Sequence, residues 1–490
     1  MTVPAMRRPR IKPEHRAYRT VDGHVRIGSV VHGIGAEVLD PDGWVWTLVE
    51  AMDGTRSPAD IVTEVSRHHP GLSLPDPDIV QAITDLTTAG YVEDAGAEPP
   101  AELSGRERER YGRGMTLLRW MDLGPRQSAW EPQLRLRRAR VLLIGVGGTG
   151  GTAARDLVAS GVGRLHCVEP DVVELSNLNR QTLFRERDLG TPKIDAALTA
   201  LRALNSDTTV TGERREVHGP ADLEDLLTGG AGGSGGLGGS GASGGAGGSG
   251  ASGGAGGSGG LGGLRGPGGR GGPGVPGSPG GTGSPGGTGS PGGTGSPGGT
   301  GTPGGSGTPG GTGTPGGTGT ASRYDALLLA ADRPAVIRRW ANQVCLASGT
   351  PWAEAGYRGP LVSVGVFAPG RGACWECLRS AEDERRDLRL APGQDEEVAS
   401  PRMPWNPVNA VTAGLSGSLL AHAALMLLCG IPRIDPGYRF GLNLMMPGDP
   451  VMQRAERRSD CPACGAAAAA SPAPQHPSAL PDSSALPDPS

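Results

Sequence analysis

Residues 140–151 read RVLLIGVGGTGG, and no other stretch constrains the fold as tightly. An apolar run ends in a turn carrying Gly145, Gly147, Gly148 and Gly150, and the helix-like TAARDLVASG follows. A strand of this kind, buried on both faces, needs parallel neighbours and covering helices. The glycines let a phosphate approach the backbone at a helix N-terminus. Such a turn serves a nicotinamide dinucleotide and ATP alike, so the choice between them rests on what lies downstream.

The alternation continues. GRLHCVEPD reads as a second strand ending in acid, at Glu169 or Asp171. TPKIDAALTALRALN is a helix with Lys193 in its first turn, TTVTGERREV a third strand and ADLEDLL a short helix. Further on, YDALLLAAD is a buried-looking strand ending at Asp332, AVIRRWANQVCLASG a helix and PLVSVGVFAPG a later strand. This pattern predicts an α/β domain with a Rossmann-like, mostly parallel sheet over residues 101–227 and 321–465. Residues 101–138, with the run RERERYGR, read as a charged connector.

Residues 11–95 read as a separate small domain. Strand-like runs in VRIGSVVHGIGAEVLD precede three helices: DPDGWVWTLVEAMDG, then SPADIVTEVSRHH with Ser57 as cap, then PDPDIVQAITDLTTAGYVED with Ile79, Ile83 and Leu86 at helical spacing. Strands followed by three short helices suggest a winged-helix-like α+β arrangement.

Residues 228–320 are a Gly/Ser/Pro-rich insertion, and glycine falls at every third position from Gly268 to Gly319. That is a collagen-like register. A triple helix needs three chains, whereas this tract is tied at both ends into one domain, so a flexible insertion is expected ahead of a triple helix. Its ends must then lie close together. The Ala/Pro/Ser-rich tail, 466–490, is expected to be disordered.

The formal charge of −4 gives no reason to expect nucleic-acid binding. No apolar run is expected to reach the roughly 18 residues of a membrane span, and the basic N-terminus lacks the apolar core of a signal peptide. A cytoplasmic protein is expected. Four of the seven cysteines form two pairs, Cys374-x-x-Cys377 and Cys461-x-x-Cys464. In a reducing compartment that spacing suits a tetrahedral zinc site, with a redox pair or idle thiols as alternatives. Cys167, Cys345 and Cys429 sit in apolar surroundings and read as core residues.

After the second strand comes ELSNLNRQTLFRERDLGTPK. Taken in order, GxGGxG, D-x-V-x-x-SNLNRQ, GxxK, a later strand ending in acid and CxxC…CxxC resemble the ThiF/MoeB family, bacterial relatives of ubiquitin-activating enzymes, from about Arg110 to Gly465. The residues make chemical sense together. A triphosphate must be neutralised before a carboxylate can attack it, and Arg180 and Lys193 supply cations beside a loop of N–H donors. Asn177 can donate to a phosphate or orient the nucleophile, Glu169 can bind ribose hydroxyls and Asp332 can hold Mg²⁺ through oxygen. The resemblance implies the same roles, with Ser176, Asn177, Leu178, Asn179 and Arg180 forming one wall of an ATP site. It implies a homodimer in which Arg113, within RYGRG, reaches the neighbouring subunit's phosphates. It also implies structural Zn²⁺ on Cys374, Cys377, Cys461 and Cys464. Two positions depart from the family pattern, Glu169 for Asp and Arg333 for Asn. The segment 378–404 after the first cysteine pair contains no cysteine, so adenylation without an enzyme thioester is expected.

The family activates a C-terminal carboxylate as an acyl-adenylate. The 11–95 domain resembles PqqD-like elements that hold the leader of a ribosomal natural-product precursor, so a peptide precursor is the first substrate expected. A ubiquitin-like sulfur carrier with a free C-terminus is the second. A non-catalytic scaffold that only binds a leader peptide is the third. Neither a nucleic-acid nor a membrane partner is expected.

Overall fold

The structure is a computed structural model that describes residues 6–31, 33–229, 322–385, 389–394, 406–432 and 434–465. The insertion beyond Gly229, with its collagen-like register, and the 466–490 tail lie outside the described residues.

The N-terminal module contains β1 (Pro9–Ile11), β2 (Tyr18–Arg19), β3 (Val25–Ile27), β4 (Ala36–Val38), α1 (Trp44–Ala51), α2 (Pro58–His68), α3 (Asp76–Thr88) and β5 (Val92–Asp94). β2, β3 and β4 form a three-stranded antiparallel sheet, and β1 pairs with β5. Asp40 starts α1 by accepting the Val45 and Trp46 N–H groups at 2.9 and 3.0 Å. A reciprocal Ser57–Asp60 capping box starts α2. Leu48, Ile61, Val65 and Ile79 are fully buried and join the helices to Val25 of the sheet.

Residues 101–138 are more than a charged connector: they fold as α4 (Gly105–Met121) and α5 (Glu131–Arg138). Ser104 and Glu107 form a capping box, and Tyr111, Met115 and Leu118 bury one helical face. The charges that suggested a solvated run are partly tied down, Arg137 to Glu107 at 2.7 Å and Arg110 to Asp207 at 3.1 Å. The far end of α4 seats the N-terminal module. Lys12 Nζ donates to the Asp122 carbonyl at 2.7 Å, His15 Nε2 lies 2.8 Å from the Trp120 carbonyl oxygen, and Arg119 pairs with Glu14 and with Glu93.

The large sheet follows from β6 (Arg140–Ile144), α6 (Gly148–Ala159), β7 (Arg164–Val168), α7 (Lys193–Leu204), β8 (Thr209–Glu213), α8 (Pro220–Thr228), β9 (Ala326–Leu329), α9 (Ile337–Ser348) and β10 (Trp352–Arg358). These five strands run parallel to one another. β11 (Leu361–Phe367), α10 (Trp375–Arg385), α11 (Ala410–Cys429), β12 (Tyr438–Asn443) and β13 (Val451–Arg454) extend it antiparallel, giving the order β13-β12-β11-β10-β9-β6-β7-β8. Successive β6 residues serve opposite faces. Val141 and Leu143 pack with α6, α7 and α11, whereas Leu142 and Ile144 pack with α8 and α9.

One expectation is corrected by α11. Its twenty residues are long and apolar enough to cross a membrane by length and composition. It serves here as a core helix, with Ser416, Leu420, Ala423 and Ala424 buried against α6 and the sheet. Gly417 lets the helices touch, since a Cβ there would stand 2.5 Å from the Thr152 Cβ. The two ends of the long insertion leave from one place: Arg323 donates its N–H to the Leu227 carbonyl at 2.8 Å.

Candidate functional site

The strand ends of β6, β7 and β9 converge on the glycine turn. Gly145 has φ +89°, a left-handed conformation that suits glycine. A Cβ at Gly150 would stand 2.8 Å from the Gly145 carbonyl carbon and closer still to its oxygen, so α6 sits on the turn only because that position is bare. A Cβ at Gly148 would meet Ala413 of α11 at 2.9 Å and the Arg180 carbonyl oxygen at 3.2 Å. Among the described residues no side chain caps α6 at Gly147, which leaves its first N–H groups to an outside acceptor. Gln181 is buried beside Gly147, and its Oε1 has no hydrogen-bond partner among the described residues.

Glu169 fastens the turn to the loop after β7. Its Oε2 accepts the Val146 N–H at 2.8 Å and its Oε1 the Asp171 N–H at 3.1 Å. Each oxygen keeps a lone pair for a further donor, such as a ribose hydroxyl. Asp171 is exposed, and its carboxylate holds the buried Lys193 at 2.8 Å, with Glu169 at 3.9 Å. Lys193 thus stands as a cation between two acids at the rim of the cradle.

The wall predicted from Ser176 to Arg180 is a short 3₁₀ turn, Leu175–Asn177, and the residues after it. Asn177 is buried, and its Oδ1 accepts the Glu174 N–H at 3.1 Å. Its carbonyl accepts the N–H groups of Arg180 and Gln181 at 3.0 and 2.9 Å. Ser176 Oγ donates to Glu174 at 3.2 Å, and Leu178 packs on the core. The Arg180 guanidinium is steered by the Ser176 carbonyl at 2.8 Å and by Asn179 Oδ1 at 3.1 Å. Arg113 is exposed on α4 and bonds to none of these groups, so within one chain it is not part of the cluster.

Asp332, just past β9, is exposed, and Arg338 donates to its Oδ1 at 3.0 Å. That leaves Oδ2 for a cation. The sequence did not reveal Tyr357, at the end of β10, whose phenol stands beside both Arg180 and Asp332. Burial pushes that phenol above its ordinary range, with Asp332 adding to the shift and Arg180 opposing it. The sequence also did not reveal a buried relay. Arg338 Nε pairs with Glu354 at 3.0 Å, Glu354 with Arg439 at 2.7 Å, and Arg439 with Glu382 of α10. Burial alone would raise Glu354; Arg439 and Arg338 overcome it and hold the carboxyl below its usual value.

The four cysteines come together. Their sulfurs lie within 4.8 Å of one another, with Cys374–Cys377, Cys374–Cys461 and Cys377–Cys464 at 3.8, 3.7 and 3.5 Å. A tetrahedron of Zn–S bonds near 2.3 Å has edges of about 3.8 Å, so the thiols fit that ion. Burial raises the Cys374 thiol and pushes Cys464 to about 11. Cys167, Cys345 and Cys429 are buried elsewhere in the core.

The family model described as "ThiF family" matches residues 116–230 and 317–463, more than half of the chain. The adenylyltransferase and sulfurtransferase uba4 of Emericella nidulans is 44% identical over 125 residues, which cover 26% of this chain and 24% of that protein. The molybdopterin-synthase adenylyltransferase of Salmonella typhimurium is 41% identical over 111 residues, 23% of this chain and 41% of that one. The chain therefore spans less than half the length of these curated relatives. Among solved structures, E. coli MccB is similar at a TM-score of 0.58 and 16% identity, covering 93% of this chain and 96% of that one. MccB with ATP gives 0.55, 15%, 93% and 99%. That likeness is one of fold. The family match rests on the sequence itself, and it takes in the glycine cradle, the SNLNRQ wall, Asp332 and three of the four cysteines. This chain belongs to the ThiF family.

Proposed function

We propose that the protein is an ATP-dependent adenylyltransferase that activates the C-terminal carboxylate of a peptide. One observation carries the reading: an uncapped helix N-terminus over a bare glycine turn, with Lys193, Arg180 and Asp332 at its rim. The names of the curated relatives and the MccB–ATP structure support it. In the reaction a carboxylate oxygen bonds to the α-phosphorus of ATP. The bond from that phosphorus to the bridging oxygen breaks, and pyrophosphate leaves with its electron pair. The α6 N–H groups, Arg180 and Lys193 offset charge on the phosphates, and Asn177 orients the turn that carries Arg180. Glu169 and Asp171 hold the ribose side. Asp332 is the ligand for Mg²⁺, which neutralises phosphate charge when bound. The four thiols hold Zn²⁺ as a structural clip. The working form is a homodimer, with Arg113 given to the partner's phosphates, and the protein acts in the cytoplasm.

The N-terminal module favours a precursor peptide of ribosomal natural-product biosynthesis. Its β2–β3–β4 sheet ends in an edge strand, β4, flanked by the exposed Val30, Val31 and Leu39. A leader peptide adds a strand there. MccB, solved with N-formylated MccA, is similar over 93% of this chain, the N-terminal module largely included. A second reading, activation of a sulfur carrier, is favoured by the uba4 and molybdopterin-synthase relatives. ATP–pyrophosphate exchange decides: it should depend on added peptide or carrier and vanish in Arg180→Ala and Asp332→Ala. Exchange that persists in either variant removes that residue from the scheme.

A further inference from the structure

Beside the candidate nucleotide site, between α9, α10 and the antiparallel half of the sheet, lies a cavity of about 710 Å³. That falls within the roughly 300–1,000 Å³ of ligand pockets. Arg338, Glu354, Arg439 and Glu382 line it, and their four charges cancel in pairs. The cavity therefore carries little net charge from this relay, yet it is dense in donors and acceptors. Two of its wall residues also touch the candidate nucleotide site. Arg338 in its wall bonds Asp332 at 3.0 Å, and Tyr357 at its edge stands beside Arg180. Its far wall is formed by Val451 and Gln453 of β13 and Ser380 of α10.

Two wall residues carry an unanswered donor. Arg439 Nε and Trp375 Nε1 are buried and have no hydrogen-bond partner among the described residues. Orphan donors are uncommon in folded proteins, and each costs free energy until an acceptor reaches it. Strand β10 itself is shaped for the space: Gly356, in the lining, leaves room where a side chain would meet the Arg338 guanidinium at 3.3 Å. The cavity is thus polar, roomy and, through Arg338 and Tyr357, next to the place where a carboxylate must arrive.

We propose that this cavity is the acceptor-side subsite. It takes the last residues of the substrate, just ahead of the carboxyl group presented to Arg180 and Asp332. It selects tails with hydrogen-bonding side chains over tails of bare glycine. The inference rests on the adenylation reading and narrows its substrate class. A glycine tail leaves the polar wall unmatched, and a site built to hydrogen-bond a missing group discriminates strongly.

The test uses the full-length protein and synthetic peptides with free carboxyl ends, identical but for their last two residues. ATP–pyrophosphate exchange should give a peptide KM at least about tenfold lower for Ser, Asn, Gln or Asp endings than for Gly-Gly. Gln453→Trp and Ser380→Trp, which fill the cavity from its far wall, should each raise peptide KM about tenfold with the KM for ATP within about twofold. The unchanged KM for ATP shows that the variants are folded. A parallel arm measures fluorescent-peptide binding to the same proteins. If wild type exchanges but peptide KM ignores both fillings, or Gly-Gly is preferred, the subsite is refuted and adenylation stands. If peptides bind with the expected cavity dependence but no exchange occurs, adenylation is refuted and the subsite stands. If neither binding nor exchange responds, both fall.

Discussion

Gly150→Ala is the sharpest perturbation of the glycine cradle proposed to hold the nucleotide. The new methyl would lie 2.8 Å from the Gly145 carbonyl carbon, overlap its oxygen and press on Ala330 Cβ at 3.1 Å. Two of these contacts are backbone, so no side-chain rotation relieves them. The N-terminus of α6 must back away from β6 by about 1 Å, and overpacking of this kind costs about 1–3 kcal/mol. The same shift moves the N–H donors off a bound phosphate, and a 1 Å misplacement can cost about 100-fold in catalysis. Gly112→Ala is the matched control. Its Cβ meets nothing within 4 Å on α4, so it should stabilise by about 0.5–1 kcal/mol. Urea denaturation and ATP titration by calorimetry read both effects. An unchanged ATP affinity in Gly150→Ala, with the expected loss of stability, would show that the phosphates do not sit on α6.

Three further outcomes follow from the same geometry. Val31→Asp and Leu39→Asp change exposed side chains beside β4, so each should weaken leader-peptide binding about tenfold or more while ATP affinity holds; equal peptide affinity would remove β4 as the docking edge. The purified protein should carry about one zinc per chain by atomic emission, tighter at higher pH because the raised Cys374 and Cys464 thiols must lose protons to bind it. Cys377→Ser should lose that metal and about 2 kcal/mol of stability or more. At the module junction, burial lowers Lys12 to about 8 from an ordinary value of 10.5. Between those pH values the unfolded chain holds more protons, so stability should rise with pH, by up to roughly 3 kcal/mol for an isolated group. Comparing urea midpoints at about pH 7.5 and about pH 9.5 for wild type and Lys12→Met checks this, since the variant should lose the rise.

The strands and helices around the cradle were legible because their signals are local. Apolar runs, glycine at the turn and Ser57 before Pro58 each act within a few residues. The order of Glu169, Asn177, Arg180, Lys193 and Asp332 was legible as a motif. Their commitments were not, because each depends on a partner from another element: Lys193 is held by Asp171, and Asp332 by Arg338. The 101–138 connector hides its helices because a helix that buries Tyr111, Met115 and Leu118 on one side shows mostly charge in sequence. The apolar α11 is hard to see in the sequence because threonine, glycine, serine and histidine interrupt its apolar run, yet the small residues among them let it lie against α6.

The buried relay left one trace that could have been read. Glu354 stands between Ala353 and Ala355 in a strand with no other charge before Arg358, and it is 4% exposed. A carboxylate there cannot stay ionised alone, so the fold owes it cations. Which cations was not readable, since Arg338 is 16 residues away and Arg439 is 85. The consequence is functional as well as structural. Glu382, the last member, lies on α10, the same helix that carries Cys377, and the first member grips Asp332. Buried ion pairs of this kind lose most when one partner is removed, because the survivor is left charged and unpaired. A disturbance of the thiol cluster that shifts α10 therefore reaches Asp332 through four ion pairs. The thiol cluster and the candidate nucleotide site, which are separate motifs in the sequence, are two ends of one polar run in the fold.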